Sequence, residues 1–339
     1  MDMAEQDFDP HAKEAALRAE SESWDTTVTV AAEPGDIPII DVSTWFETGD
    51  TTARDAVAVE LRSALETVGF FQLVGHGIST DDIAAMFDTV RRFHALPVEL
   101  KSKVRMDREG WPLGGVGYMP VGERKLPRRQ SGNLNEAFIV KSDRETTSDD
   151  NQWLKEDEAP GFRDQVETFG KRLEALACRL LPAYASALGV EADFFDEGFS
   201  HPFWRLRMTH YPTQEASSPE AFGIAPHVDT TFLTLLLQDA PGLAIYHTPK
   251  DRWVEVPLVD GAFVVNSGEL LRQWTNDRYL SVRHFANVDG LESRYSIPFF
   301  FNAARDYPME CIPTCFSADN PARYPTLSYN QSQGVVQGE

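Results

Sequence analysis

Apolar residues recur at helical spacing in several segments of the first 190 residues. From Thr52 to Val68 they return every three or four positions with Arg and Glu between them, which predicts an amphipathic helix. A second helix is predicted from Thr80, a capping residue, to about Leu96. The longest predicted helix covers 162–188 and stops at a glycine, a common helix C-cap residue.

Short apolar runs between turn residues indicate strands. Two lie early, at 37–42 and 69–74, and residues 106–135 are rich in Gly, Pro and Arg, which predicts an extended loop. Seven more follow Trp204, at 205–211, 232–237, 243–246, 252–256, 262–265, 281–288 and 294–302. Such a series is typical of a sandwich or jelly roll, so the predicted class is α+β, with helices around one β core.

The composition limits the domain organisation and the partners. The chain has 339 residues and a formal charge of −22, which disfavours nucleic acid and anionic lipid as partners. Ten acidic and two basic residues lie in the first 36 positions. We therefore predict an acidic, flexible tail at 1–36, an N-terminal helical and mixed region that packs on the core at 37–190, and a jelly-roll core with a C-terminal extension at 191–339.

Three cysteines, Cys178, Cys311 and Cys315, are too few for a disulfide framework and indicate a reducing compartment. The start of the chain does not resemble a signal peptide, and no stretch approaches the ~20 apolar residues of a membrane helix. The expected location is the cytoplasm, with no membrane partner.

A possible metal site begins at His227-Val228-Asp229. On a strand, period-two geometry would point the imidazole and the carboxylate to the same face. A third ligand could come from His284, which lies inside another strand-like run. Two His and one carboxylate leave coordination positions open, as in non-haem iron(II) oxygenases. The residues alone also allow a hydrolytic zinc site or a simple hydrogen-bonded pair.

A possible carboxylate site follows ten residues after His284. On the predicted strand 294–302, Arg294 and Ser296 face the same way. A guanidinium beside a hydroxyl can bind both oxygens of a carboxylate, so a dicarboxylate could span Arg294 and a metal. An arginine on the surface of a strand is the alternative interpretation.

Taken in order, these motifs resemble the iron(II) and 2-oxoglutarate-dependent oxygenases, in the branch that includes isopenicillin N synthase. The resemblance covers nearly the whole chain after the tail and rests on segments 37–41, 69–78, 226–229, 242–243, 266–271, 275–276, 281–284 and 294–300. The sequence departs from the family at Thr209, where Asn is frequent, and at Phe285, where a basic residue is frequent.

The resemblance implies a double-stranded β-helix, or jelly roll, flanked by helices. It makes His227, Asp229 and His284 the iron ligands. It also assigns Arg294 and Ser296 to the distal carboxylate of 2-oxoglutarate, and Tyr211 to a tyrosine that reaches the same cosubstrate. The implied reaction uses Fe(II), 2-oxoglutarate and O2 to hydroxylate, desaturate or cyclise a small molecule in specialised metabolism.

Two rival functions and the substrate stay open at this point. An oxidase like isopenicillin N synthase would not consume 2-oxoglutarate, and a non-catalytic ligand-binding protein could share the fold. Four cations, Arg124, Lys125, Arg128 and Arg129, suggest an amino-acid-like or other carboxylate substrate. The alternative is a solvated basic loop that pairs with acids such as Glu123 or Glu136. Three aromatics, Phe138, Phe299 and Phe301, are candidate apolar walls, although core packing is the favoured interpretation for each of them.

Overall fold

The structure, a computed structural model, describes residues 29–47, 51–106, 115–123, 133–142, 151–213, 222–287 and 292–333. Its helices are α1 (Ser43–Glu47), α2 (Thr51–Thr67), α3 (Thr80–His94), α4 (Val98–Lys101), α5 (Phe162–Leu188), α6 (Glu269–Trp274) and α7 (Tyr329–Ser332). The long helix α5 has the predicted bounds. Helix α3 is capped one residue earlier than predicted, because the side chain of Ser79 accepts from the backbone N–H of Asp82.

The described strands form two mixed sheets. They are β1 (Thr29–Ala31), β2 (Ile39–Asp41), β3 (Phe70–Val74), β4 (Gly117–Met119), β5 (Glu136–Lys141), β6 (Phe203–Tyr211), β7 (Ile224–His227), β8 (Leu233–Gln238), β9 (Leu243–His247), β10 (Arg252–Glu255), β11 (Phe263–Ser267), β12 (His284–Ala286) and β13 (Arg294–Asn302). The larger sheet has the order β2-β3-β11-β8-β13-β6-β5-β4 and the smaller has the order β1-β10-β9-β12-β7.

The sheets lie face to face, and the helices cover the outer face of the larger one. Phe70 and Val264 of the larger sheet pack with Ile245 of the smaller sheet in one apolar cluster. On the outer face, Phe299 and Phe301 join a large core with residues of α2, α3 and α5. The predicted α+β jelly roll flanked by helices is therefore confirmed.

The boundaries of several predicted segments were wrong. Strand β1 pairs in parallel with β10 although it lies inside the segment predicted as tail, and β4 lies inside the predicted loop 106–135. The strand predicted around His227 and Asp229 lies earlier than expected, because β7 covers Ile224–His227 and ends before Asp229. The larger sheet takes strands from both sides of residue 190, so the division at that point stays a prediction.

Within the described part of the chain, none of the helices combines the length and the apolar character that a membrane crossing requires. The three cysteines are free thiols, and Cys315 is buried.

Candidate metal centre and carboxylate site

Strand pairing brings two distant histidines together. His227 is the last residue of β7 and His284 is the first of β12, and these antiparallel strands place the two residues directly opposite each other. Asp229 follows the end of β7, so it lies in the segment between β7 and β8 and not on the strand as predicted. Ligand atoms of all three side chains lie within 4.8 Å of one another.

Both imidazoles are oriented by their own strands. The Nδ1–H of His227 donates to the carbonyl of Ala225 at 2.9 Å, and that of His284 donates to the carbonyl of Val282 at 3.1 Å. A carbonyl can only accept, so Nε2 of each neutral ring keeps a free lone pair. Each Nε2 lies 3.6 Å from Oδ1 of Asp229. Three donor atoms therefore converge on one point.

The carboxylate of Asp229 is held from its other side. Its Oδ2 accepts from the hydroxyl of Thr234 at 2.8 Å and from the amide of Asn266 at 2.9 Å. Its backbone carbonyl accepts from the N–H of Glu269 at 2.7 Å, which ties this segment to the start of α6. Hydrogen bonds of this kind orient metal ligands, and here they leave Oδ1 facing the two imidazoles.

The protonation states suit a cation. Burial by itself would raise the pKa of Asp229, but His284, His227 and the amide of Asn266 hold that pKa well below its usual range. Burial, with the neighbouring His227, lowers the pKa of His284 to about 4. An ionised carboxylate beside two imidazoles that present Nε2 matches the 2-His-1-carboxylate ligand set of non-haem iron(II), so these residues fit the metal.

The predicted carboxylate site is assembled by β13 and β6. Arg294 pairs with Tyr211 across the two strands, and its guanidinium lies 4.7 Å from the centroid of the tyrosine ring. The hydroxyls of Tyr211 and Ser296 are 3.3 Å apart. The three residues therefore form one patch on the inner face of the larger sheet.

The guanidinium of Arg294 is buried, with 1% of the residue exposed. Its Nε donates to the carbonyl of Ala240 and its Nη2 donates to Oε1 of Gln238, both at 3.1 Å. Among the described residues, Nη1 of Arg294 and Nε2 of Gln238 have no hydrogen-bond partner. Buried donors without acceptors are costly, and a carboxylate in contact with them would remove that cost.

The two patches are connected by β8. Thr234, which touches Asp229, and Gln238, which touches Arg294, lie on the same face four residues apart, or about 13 Å along the strand. Sequence reasoning assigned no role to Thr234, Asn266 or Gln238. For Thr234 and Gln238 the only signal was polarity within an otherwise apolar strand, whereas Asn266 begins segment 266–271 of the family resemblance.

The proposed aromatic walls are placed elsewhere. Phe138 packs against Phe93 and Phe162 at ring-centroid distances of 4.7 and 5.3 Å, under the helices. Phe299 and Phe301 lie on the same outer face. They belong to the core because side chains alternate along a strand, and Arg294 and Ser296 occupy the inner face. The cluster of Arg124, Lys125, Arg128 and Arg129 lies outside the described residues.

Family models match both halves of the chain. The model described as "non-haem dioxygenase in morphine synthesis N-terminal" matches residues 37–156, and the model of the 2OG-Fe(II) oxygenase superfamily matches residues 204–303. The second match contains all six residues predicted for the metal and carboxylate sites.

Individual relatives agree with these matches. The chain is 32% identical over 319 residues to the 2-oxoglutarate-Fe(II) type oxidoreductase hxnY of Emericella nidulans, covering 88% of this chain and 90% of hxnY. It is 31% identical over 286 residues to the 2-oxoglutarate-dependent dioxygenase tropC of Talaromyces stipitatus, covering 78% and 86%. The structure is similar to that of a full-length Neurospora crassa protein in complex with alpha-KG and 5-formyluracil, with a TM-score of 0.80, 26% identity, and coverage of 91% and 99%.

Proposed function

The chain belongs to the 2OG-Fe(II) oxygenase superfamily, and we propose that it oxidises a carboxylate-bearing small molecule at the metal and carboxylate sites described above. It is a non-haem iron(II) dioxygenase that uses 2-oxoglutarate and acts on a small molecule. This identity favours the 2-oxoglutarate-dependent reaction over both the oxidase and the non-catalytic alternatives.

We assign iron(II) to Nε2 of His227, Oδ1 of Asp229 and Nε2 of His284. Bound there with 2-oxoglutarate and O2, iron(II) supplies the oxidation of a substrate C–H bond, coupled to decarboxylation of 2-oxoglutarate to succinate. The Nδ1–H bonds of the two imidazoles fix the tautomer in which Nε2 faces the metal position, and the surroundings of Asp229 keep its carboxylate ionised. The single negative charge of Asp229 leaves net positive charge at the metal, which attracts an anionic cosubstrate.

We assign the distal carboxylate of 2-oxoglutarate to Arg294, with Ser296 and Tyr211 as hydroxyl donors. The observation that carries this assignment is the buried Nη1 of Arg294, which has no acceptor among the described residues. A carboxylate paired with Arg294 at this depth is poorly screened by water, because the residue is only 1% exposed.

The substrate class is the finer part of the proposal. The four cations at 124–129 support an amino-acid-like or other carboxylate substrate. Arg207 adds support, because it is buried on β6 two residues from Thr209, on the face that also carries Tyr211. Its Nη2 donates to Oδ1 of Asn135 at 2.7 Å and its Nε donates to the hydroxyl of Thr209 at 3.1 Å.

Succinate release measures the function directly. Amino acids and other small carboxylates should stimulate it above the level without substrate, whereas neutral thymine, which the Neurospora crassa protein binds in another solved complex, should not. Arg128→Ala and Arg129→Ala should weaken stimulation by the preferred acid. Equal stimulation of the wild type and both variants would exclude this loop from substrate binding.

Arg294→Lys tests the cosubstrate site. Lysine keeps the charge but loses the planar fork, so the KM for 2-oxoglutarate should rise about tenfold or more, while metal affinity stays unchanged. Arg278→Lys is the matched control, because Arg278 bonds to Glu66 at 2.8 Å and not to the site. An unchanged KM in Arg294→Lys would disprove the assignment. His284→Ala should abolish turnover, and full activity in that variant would remove His284 from the ligand set.

A further inference from the structure

A second buried polar cluster lies directly behind the carboxylate site, on the outer face of the larger sheet. Its centre is Glu136 of β5, whose Oε2 accepts from Lys101 at 2.7 Å and from the hydroxyl of Tyr118 at 2.6 Å. Its Oε1 accepts from Nδ1 of His210 at 2.8 Å, and Nδ1 of His94 lies 3.4 Å away. Nothing in the oxygenase reaction described above uses these residues.

The cluster contains two histidines and a carboxylate, like the metal centre, but its charge is already balanced. The ammonium of Lys101, itself 4% exposed, bonds to Glu136 and to the carbonyl of His94 at 2.9 Å. Burial opposes ionisation of Glu136, yet the hydrogen bonds from His210 and Lys101, with His94 close by, hold its pKa far below the usual range. A buried dication beside this ammonium would be strongly disfavoured, so a structural role fits better.

His210 connects this cluster to the strand that carries Arg294. Its ring stacks on the ring of Tyr295, with centroids 4.5 Å apart and an interplanar angle of 10°. Its Nδ1–H donates to the carboxylate of Glu136, and its Nε2 forms a hydrogen bond with the hydroxyl of Ser293 at 2.8 Å. His210 therefore contacts both chain neighbours of Arg294 on the outer face, while Arg294 points to the inner face.

We propose that His210, held by Glu136 and Lys101, is a positioning residue that aligns Arg294 with the distal carboxylate of 2-oxoglutarate. The inference rests on the role proposed for Arg294. His210 is also the residue before Tyr211, so the same ring fixes the backbone on both sides of the Arg294–Tyr211 pair. Catalysis at the metal does not involve His210.

A second anchor limits the expected effect. The N–H of Tyr295 donates to Oδ1 of Asp239 at 2.7 Å, and Oδ2 of Asp239 accepts from Arg91 of α3 at 2.9 Å. The bond between Tyr295 and Asp239 does not involve His210, so it should persist when His210 is replaced. Arg294 should therefore shift out of alignment but remain in the carboxylate site. A lost hydrogen bond of this kind corresponds to up to about tenfold in an equilibrium constant.

The test uses the full chain loaded with Mn(II) and titrated with 2-oxoglutarate by calorimetry. His210→Phe keeps the stacked ring but loses both hydrogen bonds, and Ser293→Ala removes one exposed hydroxyl with little risk to folding. His247→Phe is the matched control, because His247 is also a buried histidine but lies on β9 of the smaller sheet. Its Nε2–H donates to the carbonyl of Asp36. Arg294→Lys is measured in parallel.

We expect the Kd for 2-oxoglutarate to rise about tenfold in His210→Phe and about threefold in Ser293→Ala. The Mn(II) affinity, and kcat at saturating 2-oxoglutarate, should match the wild type, which separates positioning from general damage to the fold. If His210→Phe does not fold, the Kd of Ser293→Ala for 2-oxoglutarate becomes the deciding measurement. A Kd equal to that of the wild type in Ser293→Ala overturns the inference. If Arg294→Lys has normal affinity, the proposed carboxylate site itself fails. If only Arg294→Lys binds weakly, the positioning role alone is refuted.

Discussion

Replacing Thr234 by valine should weaken metal binding without disturbing the fold. The hydroxyl of Thr234 donates to Oδ2 of Asp229 at 2.8 Å, in a position that is 3% exposed. Valine has nearly the same shape, so no cavity forms and the main loss is the hydroxyl. Oδ2 then keeps the amide of Asn266 as a donor, and the carboxylate becomes free to rotate away from the two imidazoles.

Two independent arguments predict a similar loss of metal-binding free energy for Thr234→Val. Losing a hydrogen-bonding partner of a metal ligand typically lowers metal affinity about 10- to 100-fold. That range corresponds to roughly 1.4–2.7 kcal/mol. A hydrogen bond to a charged group is worth about 1.5–3 kcal/mol, so the hydroxyl alone can account for the whole effect.

Mn(II) titration calorimetry measures the effect, and two other variants isolate its cause. Thr234→Ser keeps the hydroxyl and should bind Mn(II) like the wild type. Thr89→Val removes a buried hydroxyl that donates to a carbonyl of its own helix, far from the ligands in the sequence. If Thr234→Val binds Mn(II) within about twofold of the wild type, hydrogen bonding from Thr234 does not orient Asp229.

Two further predictions concern stability. In the metal-free protein, burial lowers the pKa of His284 from 6.5 to about 4, so the unfolded chain binds this proton more tightly. The free energy of unfolding is therefore highest above pH 6.5 and decreases as the pH falls toward 4. Urea denaturation across this pH range should show a decrease about 3 kcal/mol smaller in His284→Gln than in the wild type. An equal decrease in the two proteins would contradict the lowered pKa of His284. Phe138→Ala should cost about 3–5 kcal/mol of unfolding free energy, because the ring is buried under the helices. The kcat of the folded variant should stay near the wild-type value, and a selective loss of kcat would return Phe138 to the substrate pocket.

The sequence by itself determined the features that depend on local periodicity. Helix α5 could be bounded from its apolar spacing and its terminal glycine, because helix formation and capping involve residues within a few positions of each other. The alternation along β13 likewise placed Arg294 and Ser296 on one face. The order of motifs also predicted the family, which the relatives confirm.

Only the tertiary structure decided which distant residues meet. The sequence could not show that His284 lies opposite His227, because that contact depends on strand pairing across more than fifty residues. Alternation along β5 separates two faces but does not say which one the helices cover, so Phe138 was considered for the wrong side. Thr234 and Asn266 carry no local signal for a role beside Asp229. Their hydrogen bonds exist because β8 and β11 pair in a register that brings both side chains to the same carboxylate.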